Sequence, residues 1–171
     1  MTQDPVPPAH GRTLARAGLI LALVVGLDQL TKALVRGGID IGDEDSILPG
    51  ISLVHVRNSG VAFGAFSGGG IIVVALVAAA LAALLFYFFT HLDKRLVWLP
   101  TGMLLGGSIG NIIDRARDGA VTDFVKLPAG WPAFNVADVA ITVGVIVLLW
   151  VIEQQDDGDG EARDAADGRT G

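Results

Sequence analysis

The 171-residue sequence contains no cysteine, which excludes disulfides, thiolate metal sites, a cysteine nucleophile and any lipid anchor carried on a cysteine thiol. Basic residues are few, 12 Lys and Arg against 18 Asp and Glu, and they form no extended patch able to grip nucleic acid. The formal charge of −6 is concentrated at one end, because Glu153, Asp156, Asp157, Asp159, Glu161, Asp164 and Asp167 face only Arg163 and Arg169 from residue 153 onward. Histidine is scarce too. His10, His55 and His91 fall in a tail, a strand-like run and a loop on the opposite side, so a Ser-His-Asp set has no easy way to assemble. No glycine-rich loop ends in Gly-Lys-Ser/Thr, which removes a phosphate-cradling loop from consideration.

What the sequence has is apolar residues, 51% of the chain, with a mean hydropathy of +0.57. They gather into four blocks at about 17–35, 71–90, 96–114 and 134–152, each near the roughly 20 residues that cross a bilayer as a helix. The fold class expected is an all-α membrane protein of four transmembrane helices with a small extracytoplasmic β-containing cap. Residues 1–13, with Pro5, Pro7 and Pro8, read as a disordered N-terminal tail, 14–152 as the four-span domain, and 153–171 as a disordered acidic tail. The first block ends in Asp28, Gln29 and Lys32 with no small-x-small cleavage pattern, so it reads as a retained helix. Pro100 lies in the first turn or so of the third span, where proline is tolerated.

Two connections carry more than linkage. Ile51–Arg57 is β-prone and bracketed by Pro49-Gly50 and Asn58-Ser59-Gly60, which predicts a short strand and turn. Residues 115–133 start polar but contain Val121, Phe124, Val125, Leu127 and Trp131, and read as a segment lying on the bilayer surface. Four spans place both tails on one side and these two connections on the other. The Lys and Arg count is tied, with Arg12, Arg16, Lys94, Arg95, Arg163 and Arg169 on the tail side against Lys32, Arg36, Arg57, Arg115, Arg117 and Lys126. Several of the second group stand beside acids, so the tails are expected in the cytoplasm.

Acids inside spans cost a few kcal/mol and usually face a bundle interior or a wet cavity. Here Asp28, Asp114, Asp138 and, in the adjoining connection, Asp123 all fall on one membrane face. Asp28 and Lys32 are i,i+4 and read as a structural ion pair. Asn111, Asp114 and Arg115 share a helix side, with Arg115 expected to hold Asp114 ionised as scaffold. Asp123 and Asp138 have no such partner apart from Lys126. Facing each other, they could not both ionise, and a shared proton supplies the acid and base that peptide hydrolysis needs. Asn135, one turn before Asp138, is placed to donate into that site. Gly102, Gly106 and Gly110 recur every four residues and read as a close-packing helix face. Asn58-Ser59-Gly60-Val61-Ala62-Phe63 reads equally as the wall of a peptide channel or as an ordinary turn.

Four ordered blocks resemble bacterial lipoprotein signal peptidase, the signal peptidase II family. They are Asp28–Lys32, Asn58–Phe63, Gly106–Arg115 continued by Gly119–Phe124, and Trp131–Asp138. Ser108 stands where the family commonly has Ala, and the acidic tail is an appendage without a motif. The resemblance implies a membrane aspartic endopeptidase with Asp123 and Asp138 as catalytic pair. Asp28, Lys32, Asn58, Gly60, Ala62, Phe63, Gly107, Asn111, Asp114, Arg115, Asn135 and Ala137 would be substrate-binding or supporting. It further implies diacylglyceryl-prolipoprotein substrates, globomycin as inhibitor, no metal or cofactor, and a place in the bacterial cytoplasmic membrane with the site toward the outer face. Two rivals predict different behaviour. A small proton- or ion-coupled carrier needs acids along a crossing path, and a structural membrane adaptor needs no essential acid.

Overall fold

A computed structural model describes residues 9–59, 70–128 and 130–167; Gly60, Ala62 and Phe63 lie outside the described residues. The elements in chain order are α1 (Ala9–Gly38), β1 (Glu44–Leu48), β2 (Ile51–Asn58), α2 (Gly70–Thr90), α3 (Trp98–Asp118), β3 (Val121–Lys126) and α4 (Val136–Asp167). Each apolar block becomes a helix, but the two ends differ from the sequence expectation. Helix α1 starts at Ala9, directly after the last of the three early prolines, because nothing from there onward breaks a helix. Helix α4 runs to Asp167, through the acidic stretch that reads as a tail.

The three strands form one antiparallel sheet in the order β1-β2-β3. Gly50, with φ of 81°, makes the left-handed turn residue of the β1–β2 hairpin. Strand β3 corrects the reading of 115–133 as a surface-lying segment, since Val121–Lys126 pairs with β2. Its first four residues are buried, because the strand lies between β2 and the ends of α1 and α3. Gly119 ends α3 in the left-handed conformation and sends the chain straight into the strand. Leu53 pairs with Val125 and Val56 with Asp123, so β2 holds one extra residue there, a bulge of the kind that re-aims side chains.

Helix α3 is the centre of the helical layer, packed between α1 and α4, and its glycines make that possible. A Cβ on Gly102 would sit 2.7 Å from the Ala17 carbonyl oxygen, and one on Gly106 would sit 2.8 Å from Val24 Cβ, both on α1. On the opposite side, a Cβ on Gly107 would lie 2.5 Å from the Ala137 carbonyl oxygen of α4. Small residues thus let three backbones meet along α3. Helix α2 joins more loosely, with Phe88 packing beside Ala17 and Val97.

The polarity of this layer is inverted relative to a water-soluble protein. Leu19, Leu23, Leu27, Leu30 and Leu34 of α1 and Val139, Val143, Ile146 and Leu149 of α4 face outward, while Asp28, Lys32 and Asp114 are 0% exposed. Outward leucines around an inward charge cluster suit a hydrocarbon solvent. Among the described residues, His10–Gly38 and Val136–Gln154 are each long and apolar enough to cross a membrane. The chain is a membrane protein, mostly helical, with a small antiparallel sheet.

Candidate active site

The site is built where the ends of α1 and α3, strand β3 and the start of α4 converge. At its base lies Lys32, whose ammonium donates to Asp28 Oδ2 at 2.8 Å, Asp114 Oδ2 at 3.1 Å and Asn111 Oδ1 at 2.9 Å. Three donors meet three acceptors, so the buried cation is fully satisfied, as burial of charge demands. Asp28 uses its other oxygen to accept the backbone N–H of Ala137 at 2.9 Å, an otherwise unpaired donor in the first turn of α4. Asp114 accepts the backbone N–H of Thr122 at 3.0 Å and so fixes the start of β3. Two carboxylates and one lysine therefore tie α1 to both segments that carry the other pair of acids.

The cations around Asp114 differ from the sequence expectation. Arg115 is exposed and its guanidinium donates to the Asn111 carbonyl at 3.4 Å, whereas Lys32, Arg36 at 3.7 Å and Arg117 at 3.9 Å surround the Asp114 carboxylate. The Asp114 side chain turns toward α1, where Lys32 and Arg36 wait. Gln29 was not singled out from the sequence, yet its Nε2 donates to Asp114 Oδ1 at 3.0 Å and to the Gly110 carbonyl at 3.1 Å. Its place one residue after Asp28 in the same polar block is the only signal that marked it.

Asn135 occupies the cap position of α4. Its Oδ1 accepts the Asp138 N–H at 3.0 Å, while its own N–H donates to Asp138 Oδ2 at 3.3 Å, a reciprocal capping box built from Asn and Asp. The residue before it is held to β3 by Phe134 N–H to Val125 O at 3.0 Å and Val125 N–H to Phe134 O at 2.9 Å. This bridge places the Asn135 amide against Asp123, and Nδ2 donates to Asp123 Oδ1 at 2.7 Å. One asparagine thus touches both acids that the sequence paired.

The remaining oxygens are also served. Asn58, from the end of β2, donates to Asp123 Oδ2 at 2.9 Å, and Asn111 donates to Asp138 Oδ1 at 2.9 Å. Because Lys32 takes Asn111 Oδ1, the Asn111 amide nitrogen is turned toward Asp138. Asp123 is 2% exposed, and Asp138 is partly open. Burial raises the Asp123 carboxyl above the usual carboxylate range; the Asn58 hydrogen bond opposes this, the nearby Asp138 charge adds to it, and Asn135 and Lys32 oppose it. A groove of about 260 Å³ opens beside Asp123, lined by Val56, Asn58, Ser59, Pro132 and Ala133. Among the described residues, no three acidic or histidine side chains gather as a metal-ligating set.

A bundle with outward-facing leucines, and at its polar edge two aspartates joined through Asn135 with Asp123 on a groove, has the make-up of a membrane-embedded aspartic peptidase. The family model for signal peptidase (SPase) II matches residues 20–153, and the chain belongs to that family. A protein called lipoprotein signal peptidase from Azoarcus sp. (strain BH72) is 37% identical over 139 residues, covering 77% of this chain and 79% of that protein. Another of the same name from Syntrophotalea carbinolica is 40% identical over 139 residues, covering 77% and 86%. A solved structure described as a bacterial membrane enzyme determined by the in meso method superposes with a TM-score of 0.69 at 31% identity, covering 83% of this chain and 92% of the other.

Proposed function

We propose that the protein cleaves signal peptides from diacylglyceryl-modified prolipoproteins, with Asp123 and Asp138 as the catalytic pair at the outer face of the bacterial cytoplasmic membrane. The observation that carries this reading is Asn135, which donates to Asp123 Oδ1 and caps Asp138 at the same time. Two acids held by one asparagine, Asp123 by its side-chain nitrogen and Asp138 by its backbone N–H, are brought close enough to divide one proton. Burial favours the neutral form of Asp123, which suits it to the acid role. Asp138, the more open of the two, is assigned the base role.

In the first step Asp138 takes a proton from water as its oxygen bonds to the scissile carbonyl carbon. Asp123 gives its proton to the carbonyl oxygen, so the tetrahedral intermediate forms without a free oxyanion. In the second step the C–N bond breaks, Asp138 returns its proton to the leaving amine, and Asp123 recovers a proton from the hydroxyl as the carbonyl reforms. Neither residue is changed over the cycle.

Helices α2 and α3 are 21 residues each, enough with α1 and α4 for four crossings at about 1.5 Å per residue. Four crossings would leave both termini on one side; we assign that side to the cytoplasm and the sheet to the outer face, where the signal peptide helix would enter from lipid. A chain without cysteine suits a direct test. Single cysteines at Ser46 and Asp93 should be labelled by an impermeant maleimide from opposite sides of sealed vesicles. For the activity, purified protein should process a lipidated precursor, leave the unlipidated one intact and be blocked by globomycin. Equal cleavage of both precursors would remove the lipid requirement.

A further inference from the structure

The end of the helical layer farthest from Lys32 carries a second polar feature that catalysis does not use. Arg12 and Arg16 on α1, one helical turn apart, and Lys94 and Arg95 from the α2–α3 connection line one groove of about 470 Å³. Asp93 is the single acid among its lining residues. Among the described residues none of these four cations takes part in an ion pair. The guanidinium of Arg16 lies 5.7 Å from the ring centroid of Trp98, which also lines the groove. The connection is pinned to α1 by Thr13 Oγ1 donating to the Leu92 carbonyl at 3.0 Å. It then passes through Leu96, whose φ of 67° is unusual for a residue with a branched side chain.

Like charges held one turn apart repel by a few tenths of a kcal/mol in a helix, so clustering four of them around one cleft calls for an anion. Trp98 sets the depth, since tryptophan settles at the boundary between headgroups and hydrocarbon. We infer that this groove binds the phosphate of an anionic phospholipid headgroup, of the phosphatidylglycerol type, in the leaflet opposite the catalytic pair. Its acyl chains would lie along the outward leucines of α1, beginning at Leu14 and Leu19.

The test uses the full chain in phosphatidylcholine bicelles titrated with phosphatidylglycerol, reading the thermal unfolding midpoint, with inorganic phosphate at equal ionic strength as a separate arm. The midpoint should rise saturably with phosphatidylglycerol and stay unchanged with inorganic phosphate. In Arg16→Gln/Lys94→Gln the half-saturating phosphatidylglycerol fraction should rise about thirtyfold, roughly fivefold for each basic side chain facing an anionic surface. Lys126→Gln removes one positive charge from the opposite end and should leave the titration unchanged. An equal response to inorganic phosphate, or an equal loss in Lys126→Gln, would overturn the assignment. So would a phosphatidylglycerol response seen only after residues 156–171 are deleted, which would give the groove to the acidic C-terminal segment instead.

Discussion

Asn135 and Asp138 close a reciprocal pair at the start of α4, with Asn135 Oδ1 accepting the Asp138 N–H at 3.0 Å and the Asn135 N–H reaching Asp138 Oδ2 at 3.3 Å. Helix capping and orientation of a reactive carboxyl are here one set of hydrogen bonds. The amide nitrogen left over points at Asp123, 2.7 Å away. Stability and activity can therefore be separated at this position by choosing which atoms to remove.

Asn135→Ala removes the capping oxygen and the amide nitrogen that reaches Asp123, and keeps only the backbone N–H to Asp138 Oδ2. It should cost about 1 kcal/mol in helix capping and lower kcat on the order of 10²-fold or more, as loss of a preorganised donor does. Asn135→Ser keeps the capping oxygen but not the amide nitrogen. Its unfolding midpoint should return toward wild type while kcat stays low, a split measurable by thermal unfolding beside steady-state cleavage.

Removal of the buried ammonium should be among the most damaging changes. Lys32→Met leaves Asp28 and Asp114 without the cation they share at 2.8 and 3.1 Å, and breaking such a buried set by removing one partner costs about 3–5 kcal/mol. It also frees Asn111 to rotate its amide away from Asp138. Reversible unfolding in mixed micelles should show the stability loss, and cleavage should be lost with it.

Gly110 tests the close packing of α3 against the polar layer. A Cβ there would sit 2.5 Å from Asp28 Oδ2, and Asp28 cannot retreat without releasing Lys32 or the Ala137 amide. Gly110→Ala should cost about 1–3 kcal/mol through overpacking and reduce activity. Gly119→Ala has open space but a φ of +72°; it should cost about 1 kcal/mol and leave kcat nearly intact.

Much of this was open to reading before any coordinates. The four apolar blocks announce helices because little but a membrane explains runs of that length, and Asp28–Lys32 follows from helical spacing alone. Strand β3 was hidden because its partner β2 lies some 65 residues earlier, and short β-prone runs declare themselves only when paired. The error at Arg115 has a similar source. Spacing along α3 gives its nearest cation in sequence, but the Asp114 side chain is directed at α1, and tertiary packing supplied Lys32 and Arg36 instead. The cap at Asn135 was legible as an Asn three residues before an Asp; that its other end would reach Asp123 depends on the Phe134–Val125 bridge, which no local pattern encodes.

The raised Asp123 carboxyl gives a pH signature. Its protonated form is favoured by the fold, so its contribution to stability is complete below the ordinary carboxylate range and is lost as pH rises through the raised value. Wild type should therefore lose stability relative to Asp123→Asn as pH increases across that window, read as the difference between their unfolding midpoints. Cleavage by wild type should fall on the alkaline side for the same reason, once Asp123 has no proton to give.

The central claim is that Asp123 and Asp138 hold one proton between them and divide the acid and base roles. Single-turnover processing of a lipidated precursor by purified Asp123→Asn and Asp138→Asn measures it most directly, with circular dichroism confirming that both variants remain folded. Each should bind the precursor and fail to cut it, with a rate lower by at least about 10⁴-fold, since an amide cannot pass the proton on. Cleavage by either variant at a rate near that of wild type would contradict the account.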